Sequence, residues 1–263
     1  MLSQRKLSEL TGLARSVALQ AGEIIKKKSH QRHRVSFKGR VDLVTEVDLL
    51  SERFIVGEIT KRYPKHAILA EEGSDNNIES DIKWIIDPID GTTNYAHGFP
   101  FYCVSIGIEY EGEMVAGAIY DPEREELFYA FQGSGAFLNK KRIIVSSESN
   151  LQKSLLATGF PYDIKTSRID NLKYFRRFAK VARGIRRAGS AALDLCYLAC
   201  GRFDGFWELK LHPWDTAATV VIVREAGGNV TNFSGEKYSI YGNNILATNG
   251  KIHSQMSEML LWK

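Results

Sequence analysis

Apolar positions along this chain alternate between helical and strand spacing. Residues 3–28 carry Leu7, Leu10, Leu13, Ala14, Val17, Ala21, Ile24 and Ile25, a three-and-four spacing that predicts an amphipathic helix. Residues 47–62 repeat it with Leu49, Leu50, Phe54, Ile55 and Ile59, and Pro64 follows as a stop. Positions 66–69 predict a short strand running into Glu71 and Glu72. Trp84-Ile85-Ile86 predicts a buried strand that Pro88 should end, with a tight turn at Gly91. Strands at 104–108, 114–120 and 126–131, separated by Glu-Gly and Asp-Pro turns, predict an antiparallel meander. Gly133-Ser134-Gly135 reads as a turn, because the lysine of a phosphate-binding loop is missing.

The second half predicts a helix at 168–181, a short connection or strand at 184–188, and an apolar helix at 190–200 with Ser190 as N-cap and Gly201 past its end. A strand at 203–208, a helix at 214–226 closed by Gly227-Gly228, strands at 230–233 and 245–248, and a helix at 251–262 follow. No repeat or low-complexity linker interrupts this order, and interleaved helices and strands point to layers of sheet and helix.

With 263 residues, 44% hydrophobic and 25% charged, the chain is long enough for one large domain or two tightly joined lobes. No apolar run reaches the roughly 18 residues of a membrane span, and Met1-Leu2-Ser3-Gln4-Arg5-Lys6 lacks the apolar core of a signal peptide. Cys103, Cys196 and Cys200 lie in apolar surroundings without metal-ligand spacing. Buried thiols in a reducing, cytoplasmic compartment are expected. The six histidines show no zinc-binding pattern. Net charge is +4, with basic residues concentrated at 26–38 and 173–187. The first group reads as a solvated helix face; the second, through Arg183, Arg186 and Arg187, offers a basic surface.

Four acidic sites share one grammar, a carboxylate at the end of an apolar run beside a turn or helix start. They are Glu71 (with Glu72) after Ala67-Ile68-Leu69-Ala70, Asp87 and Asp90 after Trp84-Ile85-Ile86, and Asp215 after Pro213-Trp214; Asp42 and Asp48 flank Leu43-Val44-Thr45 before a helix. Carboxylates at the end of a buried strand cost free energy unless paired or bound to a cation. Hard oxygen ligands suit Mg²⁺. Singly each acid reads as a cap or surface charge; jointly they read as a metal cluster fed by several elements. His97 and His212 are expected to support loops, Trp84, Trp207 and Trp214 to pack, and Asp194 to complement a helix dipole. Asp42 stays open between turn and site, and Lys210 between substrate and solvent.

The segment Trp84-Ile-Ile-Asp87-Pro-Ile-Asp90-Gly-Thr-Thr-Asn94, followed by His97-Gly98-Phe99-Pro100, resembles the first signature of the inositol monophosphatase family. Trp214-Asp215-Thr-Ala-Ala218, running to Glu225-Ala-Gly-Gly228, is similar to the second, and Asp42-Leu-Val-Thr-Glu-Val-Asp48 and Ala70-Glu71-Glu72-Gly73 match two further family segments in order. The resemblance covers nearly the whole chain and implies a layered αβαβα sandwich, with residues 1–263 as one domain of two packed lobes, about 1–145 and 146–263. It implies Mg²⁺-dependent, lithium-sensitive hydrolysis of inositol monophosphate, with two or three ions per site.

By the same resemblance Glu71, Asp87, the carbonyl of Ile89, Asp90 and Asp215 are metal ligands, and Asp87 bridges the ions. Thr92 and Glu71 position the attacking water, and Asp48 hydrogen-bonds Thr92. Asp90, Gly91, Thr92, Gly189, Ser190, Ala191, Glu208 and Asp215 meet the substrate, Glu208 through its hydroxyls. The one Cys-x5-Arg spacing, Cys196 to Arg202, begins inside the predicted apolar helix rather than in a loop, and no Asp-x-Asp pair is present, so water rather than a side chain is the expected nucleophile. Ala70, Gly73 and Thr219 depart from the commonest family residues without removing a ligand. Relatives act on fructose bisphosphate, histidinol phosphate, dinucleotide phosphates and nucleotide 3′-phosphates, so fructose-1,6-bisphosphate or another small phosphate is the alternative substrate. The resemblance also implies a homodimer. Arg186-Arg-Ala-Gly189-Ser-Ala-Ala-Leu-Asp194 and Phe206-Trp-Glu208 look most like a bacterial branch with members that bind RNA polymerase or RNA-processing complexes.

Overall fold

Two large β-sheets alternate with helices in five layers, beside a small two-stranded sheet. The computed structural model describes residues 2–29, 35–37, 43–76 and 78–261; Asp42 and the end of the predicted terminal helix at Trp262 lie outside them. In chain order the elements begin with α1 (Gln4–Lys28), β1 (Val35–Phe37), β2 (Leu43–Thr45), α2 (Glu46–Arg62), β3 (Ala67–Ala70), β4 (Ile82–Asp90) and α3 (Thr92–Ala96). The strands β5 (Cys103–Tyr110), β6 (Glu113–Asp121), β7 (Glu126–Phe131), β8 (Ala136–Leu138), β9 (Lys141–Ile143) and β10 (Leu155–Thr158) follow. Then come α4 (Leu172–Ala179), β11 (Gly184–Arg186), α5 (Ala191–Ala199), β12 (Gly205–Leu209), α6 (Pro213–Glu225), β13 (Asn229–Thr231), β14 (Asn244–Thr248) and α7 (His253–Leu261).

The seven-stranded sheet runs β3-β4-β5-β6-β7-β8-β9. β3 joins β4 in parallel, and every later pair is antiparallel. The predicted meander is therefore real and longer than its three predicted strands. The five-stranded sheet runs β11-β10-β12-β14-β13, with β10 parallel to both neighbours. α1 and α2 cover one face of the larger sheet, α5 and α6 fill the space between the sheets, and α4 and α7 cover the far face of the smaller one. The middle core takes Ile85, Ile119 and Phe128 from one sheet and Ala157, Phe206 and Ala247 from the other. This is the expected αβαβα sandwich. No helix among the described residues is long and apolar enough to cross a membrane.

The close fit of α6 against the larger sheet has a specific cause. A Cβ on Gly107 of β5 would come within 2.6 Å of the Ala217 Cβ, and one on Gly117 of β6 within 2.4 Å of the Ala218 carbonyl oxygen. Glycine on the sheet and alanine on the helix are the pairing that lets the backbones approach this closely. That contact fixes the start of α6, and with it Asp215, against β5.

Two expectations are corrected. Pro88 does not end its strand: β4 continues to Asp90 with a register shift between Asp87 and Asp90. A bulge tolerates a residue that cannot donate to the ladder. The helix predicted at 168–181 is only Leu172–Ala179, entered through Asn171 in the left-handed conformation (φ 70°). The turn predicted at Gly91 is present, with Gly91 at φ 101° as the N-cap of α3. The strand β10 was not predicted at all.

Candidate metal centre and substrate cleft

The bulge in β4 builds the centre. Asp87 pairs with Ser105 and Asp90 with Cys103 on β5. Residues two apart on a strand face the same side, so the extra residue turns both aspartates to one face, although a spacing of three would otherwise separate them. Asp215 enters at the first turn of α6, where Pro213 is the first helical residue and the His212 amide donates to Asp215 Oδ2 at 2.7 Å. Asp87, Asp90 and Asp215 each offer an oxygen, and the three lie within 4.8 Å of one another. Glu71, at the end of β3, lines the same recess with Ile89 and Thr92.

Glu71 is aimed by a residue that sequence reading missed. Glu52 of α2 is buried, and its carboxylate accepts from the amides of Glu72 (2.6 Å) and Ser74 (3.1 Å). This clamps the turn after β3. Its only signal in the sequence is a glutamate on the apolar side of a predicted helix, which is too weak to notice alone.

The centre is electrostatically unstable without cations. Burial, then Glu71, Asp90 and Asp215, push the Asp87 carboxyl well above the usual carboxylate range. Burial and Asp90 do the same to Asp215, opposed by the His212 amide. Asp90 is raised by burial to about 6, although Ser190 and the amides of Ala192 and Ala191 favour its charged form. Two carboxylates about 4 Å apart repel by roughly 4 kcal/mol at an effective dielectric near 20. Oxygen-only donors from three rigid elements are what a hard divalent cation requires, so these residues fit a bound metal ion.

Thr92 opens α3, and its hydroxyl lies 3.0 Å from both Asp48 Oδ1 and the Ile89 carbonyl. Asp48 is fully buried, and its other oxygen accepts from the amide and hydroxyl of Thr45 in a capping box at the start of α2. Burial raises the Asp48 carboxyl, against the pull of the Thr45 hydrogen bonds. The Ile89 carbonyl keeps a second lone pair beyond the one facing Thr92.

A cleft leads away from the acids toward the smaller sheet. Its walls include Gly91, Gly189, Ser190, Ala191, Glu208 and Lys210. Ser190 is the predicted N-cap: its Oγ accepts from the Leu193 amide at 3.2 Å and donates to Asp90 Oδ2 at 2.5 Å. The Ala192 amide reaches the same Asp90 oxygen at 2.7 Å. Asn94 fixes the preceding loop by donating to the Ala188 carbonyl at 2.9 Å. Glu208 lies inside β12 and is buried. Burial and Asp90 raise its carboxyl to about 8, against Arg187 and the Gly159 amide.

Lys210, left open by the sequence, lines the cleft with its Nζ 2.7 Å from both Asp163 Oδ2 and Ser167 Oγ. Trp84 and Trp207 are packing residues, each with its indole N–H satisfied, by His66 and by Asn171. Asp194 stands in the first turn of α5, as expected, and in addition is buried, 2% exposed, among the residues that line the cleft.

Residues 6–261 match the inositol monophosphatase family. An inositol-1-monophosphatase of Synechocystis sp. is 45% identical over 250 residues, covering 94% of this chain and 87% of that protein. Nus factor SuhB of Pseudomonas aeruginosa is 42% identical over 252 residues, covering 93% of each. The solved inositol monophosphatase of Anabaena (Nostoc) sp. superimposes with a TM-score of 0.89 at 40% identity, covering 97% of this chain and 96% of that one.

Proposed function

Because this chain belongs to the inositol monophosphatase family, and is therefore a phosphoric monoester hydrolase, we propose that it hydrolyses inositol monophosphate to inositol and phosphate with Mg²⁺. The observation that carries this reading is the bulge that sets Asp87 and Asp90 on one face beside Asp215, with Glu208 further along the same cleft. Glu71, Asp87, Asp90, Asp215 and the Ile89 carbonyl would hold the metal. A divalent cation bound there neutralises phosphate oxygens and makes water a better nucleophile.

The protein's own residues supply the rest. Thr92, oriented by Asp48, and Glu71 hold the attacking water in line with the scissile bond. Asp90 is itself held by the N-terminus of α5, whose dipole end and amides favour negative charge beside it. Gly91, Gly189, Ser190 and Ala191 shape the wall against which the substrate lies. Glu208 accepts hydrogen bonds from hydroxyls of the leaving group, which favours a polyol phosphate over esters whose leaving group has no hydroxyls. Phosphate release from inositol monophosphate, fructose-1,6-bisphosphate and other small phosphates, with Mg²⁺, with chelator and with Li⁺, tests the reading. It predicts the largest kcat/KM on inositol monophosphate, no turnover in chelator, and inhibition by Li⁺.

A second reading has its own observation. Arg183, Arg186 and Arg187 are exposed around β11, the edge strand of the smaller sheet, and several relatives are named Nus factor SuhB. We propose that this basic edge serves association with RNA polymerase or RNA, alongside catalysis. Pull-downs with a metal-site variant that keeps the partner would support it, and pull-downs without polymerase or RNA would refute it. A homodimer is proposed from the family alone, and light scattering checks it.

A further inference from the structure

Helix α5 is apolar wherever it meets the two sheets, apart from one position. Leu193, Leu195, Cys196 and Leu198 are buried on either side of Asp194, which is buried with them. The other deeply buried acids outside the metal centre have partners. Asp48 takes the amide and hydroxyl of Thr45. Asp121 takes the amides of Glu123 and Arg124 and the Arg124 guanidinium, and Glu109 takes Lys83 and the Tyr241 hydroxyl. Asp194 Oδ1 is the one buried carboxylate oxygen without a hydrogen-bond partner among the described residues. Leucine would fill this position without leaving a polar atom orphaned, so the aspartate lowers stability where it stands. Residues that break a local rule in this way mark functional positions.

The place of Asp194 says which function. It lines the cleft together with Glu208, Ser190 and Ala191, where Asp90 and Asp215 border both spaces, and is absent from the recess of Glu71, Asp87 and Thr92. It therefore belongs to the leaving-group end. We propose that Asp194 is a specificity-determining residue which, with Glu208, forms a two-carboxyl floor that takes two hydroxyls of a polyol leaving group. The proposal rests on the reading of the cleft as a polyol phosphate site. A carboxyl in either protonation state accepts a hydrogen bond from a hydroxyl, and a protonated one also donates. Burial, then Glu208 and Asp90, push the Asp194 carboxyl up, and Glu208 is raised as well, so the pair can offer both acceptors and donors to adjacent hydroxyls.

The test compares the full-length protein with Asp194→Leu, Asp194→Ala and Asp194→Asn on inositol monophosphate and on an aryl phosphate without hydroxyls, with Mg²⁺ present. Leucine and alanine should lower kcat/KM on inositol monophosphate about tenfold, the scale of one lost hydrogen bond, and leave the aryl phosphate within about threefold. Asparagine, which keeps a donor and an acceptor, should restore most of the loss. The melting temperature of Asp194→Leu should equal or exceed that of the wild type. Equal losses on both substrates, no loss on inositol monophosphate, or failure of both leucine and alanine variants to fold would overturn the proposal. A wild-type protein idle on every phosphate monoester would instead overturn the proposed function itself.

Discussion

The Ser190 hydroxyl donates to Asp90 Oδ2 at 2.5 Å, joining residues 100 positions apart in the chain. One side chain thus caps α5 and holds a carboxylate at the end of β4. The helix between the sheets and the bulged strand of the larger sheet are set by the same contact.

Ser190→Ala should therefore act on both stability and chemistry. Loss of an N-cap costs about 1 kcal/mol, and loss of a hydrogen bond to a charged group about 1.5–3 kcal/mol. A lower melting temperature together with a several-fold weaker Mg²⁺ requirement curve is expected. Thermal melts and a Mg²⁺ titration of phosphate release check it; a variant that melts earlier but keeps the wild-type Mg²⁺ dependence would confine Ser190 to capping.

Gly117→Ala should disturb the centre from a distance. The added Cβ would meet the Ala218 carbonyl oxygen at 2.4 Å, so α6 must move and take Asp215 with it. Overpacking of this kind costs about 1–3 kcal/mol. The melting temperature should fall and kcat with it, whereas Gly112→Ala, at a site with open space but a positive φ, should lower stability without a matching loss of kcat. Parallel melts and turnover measurements on the two variants decide this.

How much of this was legible in the chain depends on the physics of each element. Long helices such as α1 and α6 announce themselves by apolar spacing, and the acids by ending apolar runs. Nothing in the sequence distinguishes a proline that ends a strand from one in a bulge, since both remove the same donor; yet at Pro88 that difference decides whether Asp87 and Asp90 share a face. Glu52 and Asp194 were opaque for a similar reason. Their importance comes from what lies opposite them, the amides of Glu72 and Ser74 in one case and an empty hydrogen-bond position in the other. The short strand β10 carries too few residues for its period to show, and is a strand because β11 and β12 flank it.

The pH dependence of stability should expose Glu208. Its carboxyl is raised from an ordinary value of 4.5 to about 8 in the fold. Between those values the folded protein holds a proton that the unfolded chain has released, so this contribution to stability is lost as pH rises. Glu208→Gln removes it. The melting temperature of the variant, relative to the wild type in chelator, should rise steadily from about pH 5 to about pH 8. A difference that stays flat across that range would mean that Glu208 is ionised throughout.

Thr92 should matter to the transition state more than to binding. Its hydroxyl is held between Asp48 and the Ile89 carbonyl at 3.0 Å from each, which suits orienting a water. Thr92→Ala should lower kcat far more than it raises KM, and Thr92→Ser should recover much of the loss. Hydrolysis in ¹⁸O-labelled water should invert configuration at phosphorus; net retention would contradict direct attack by water.

The central claim is that Asp87, Asp90 and Asp215 form a metal centre that drives phosphate ester hydrolysis. Phosphate release from inositol monophosphate, followed across a Mg²⁺ titration in wild type, Asp87→Asn and Asp215→Asn, tests it most directly. Wild-type turnover should rise to saturation with Mg²⁺ and vanish in chelator. Each variant should lose most activity while its metal-free form melts no lower than the wild type, because removing a carboxylate relieves repulsion. Near-normal turnover in Asp87→Asn, or wild-type turnover indifferent to chelator, would contradict the account.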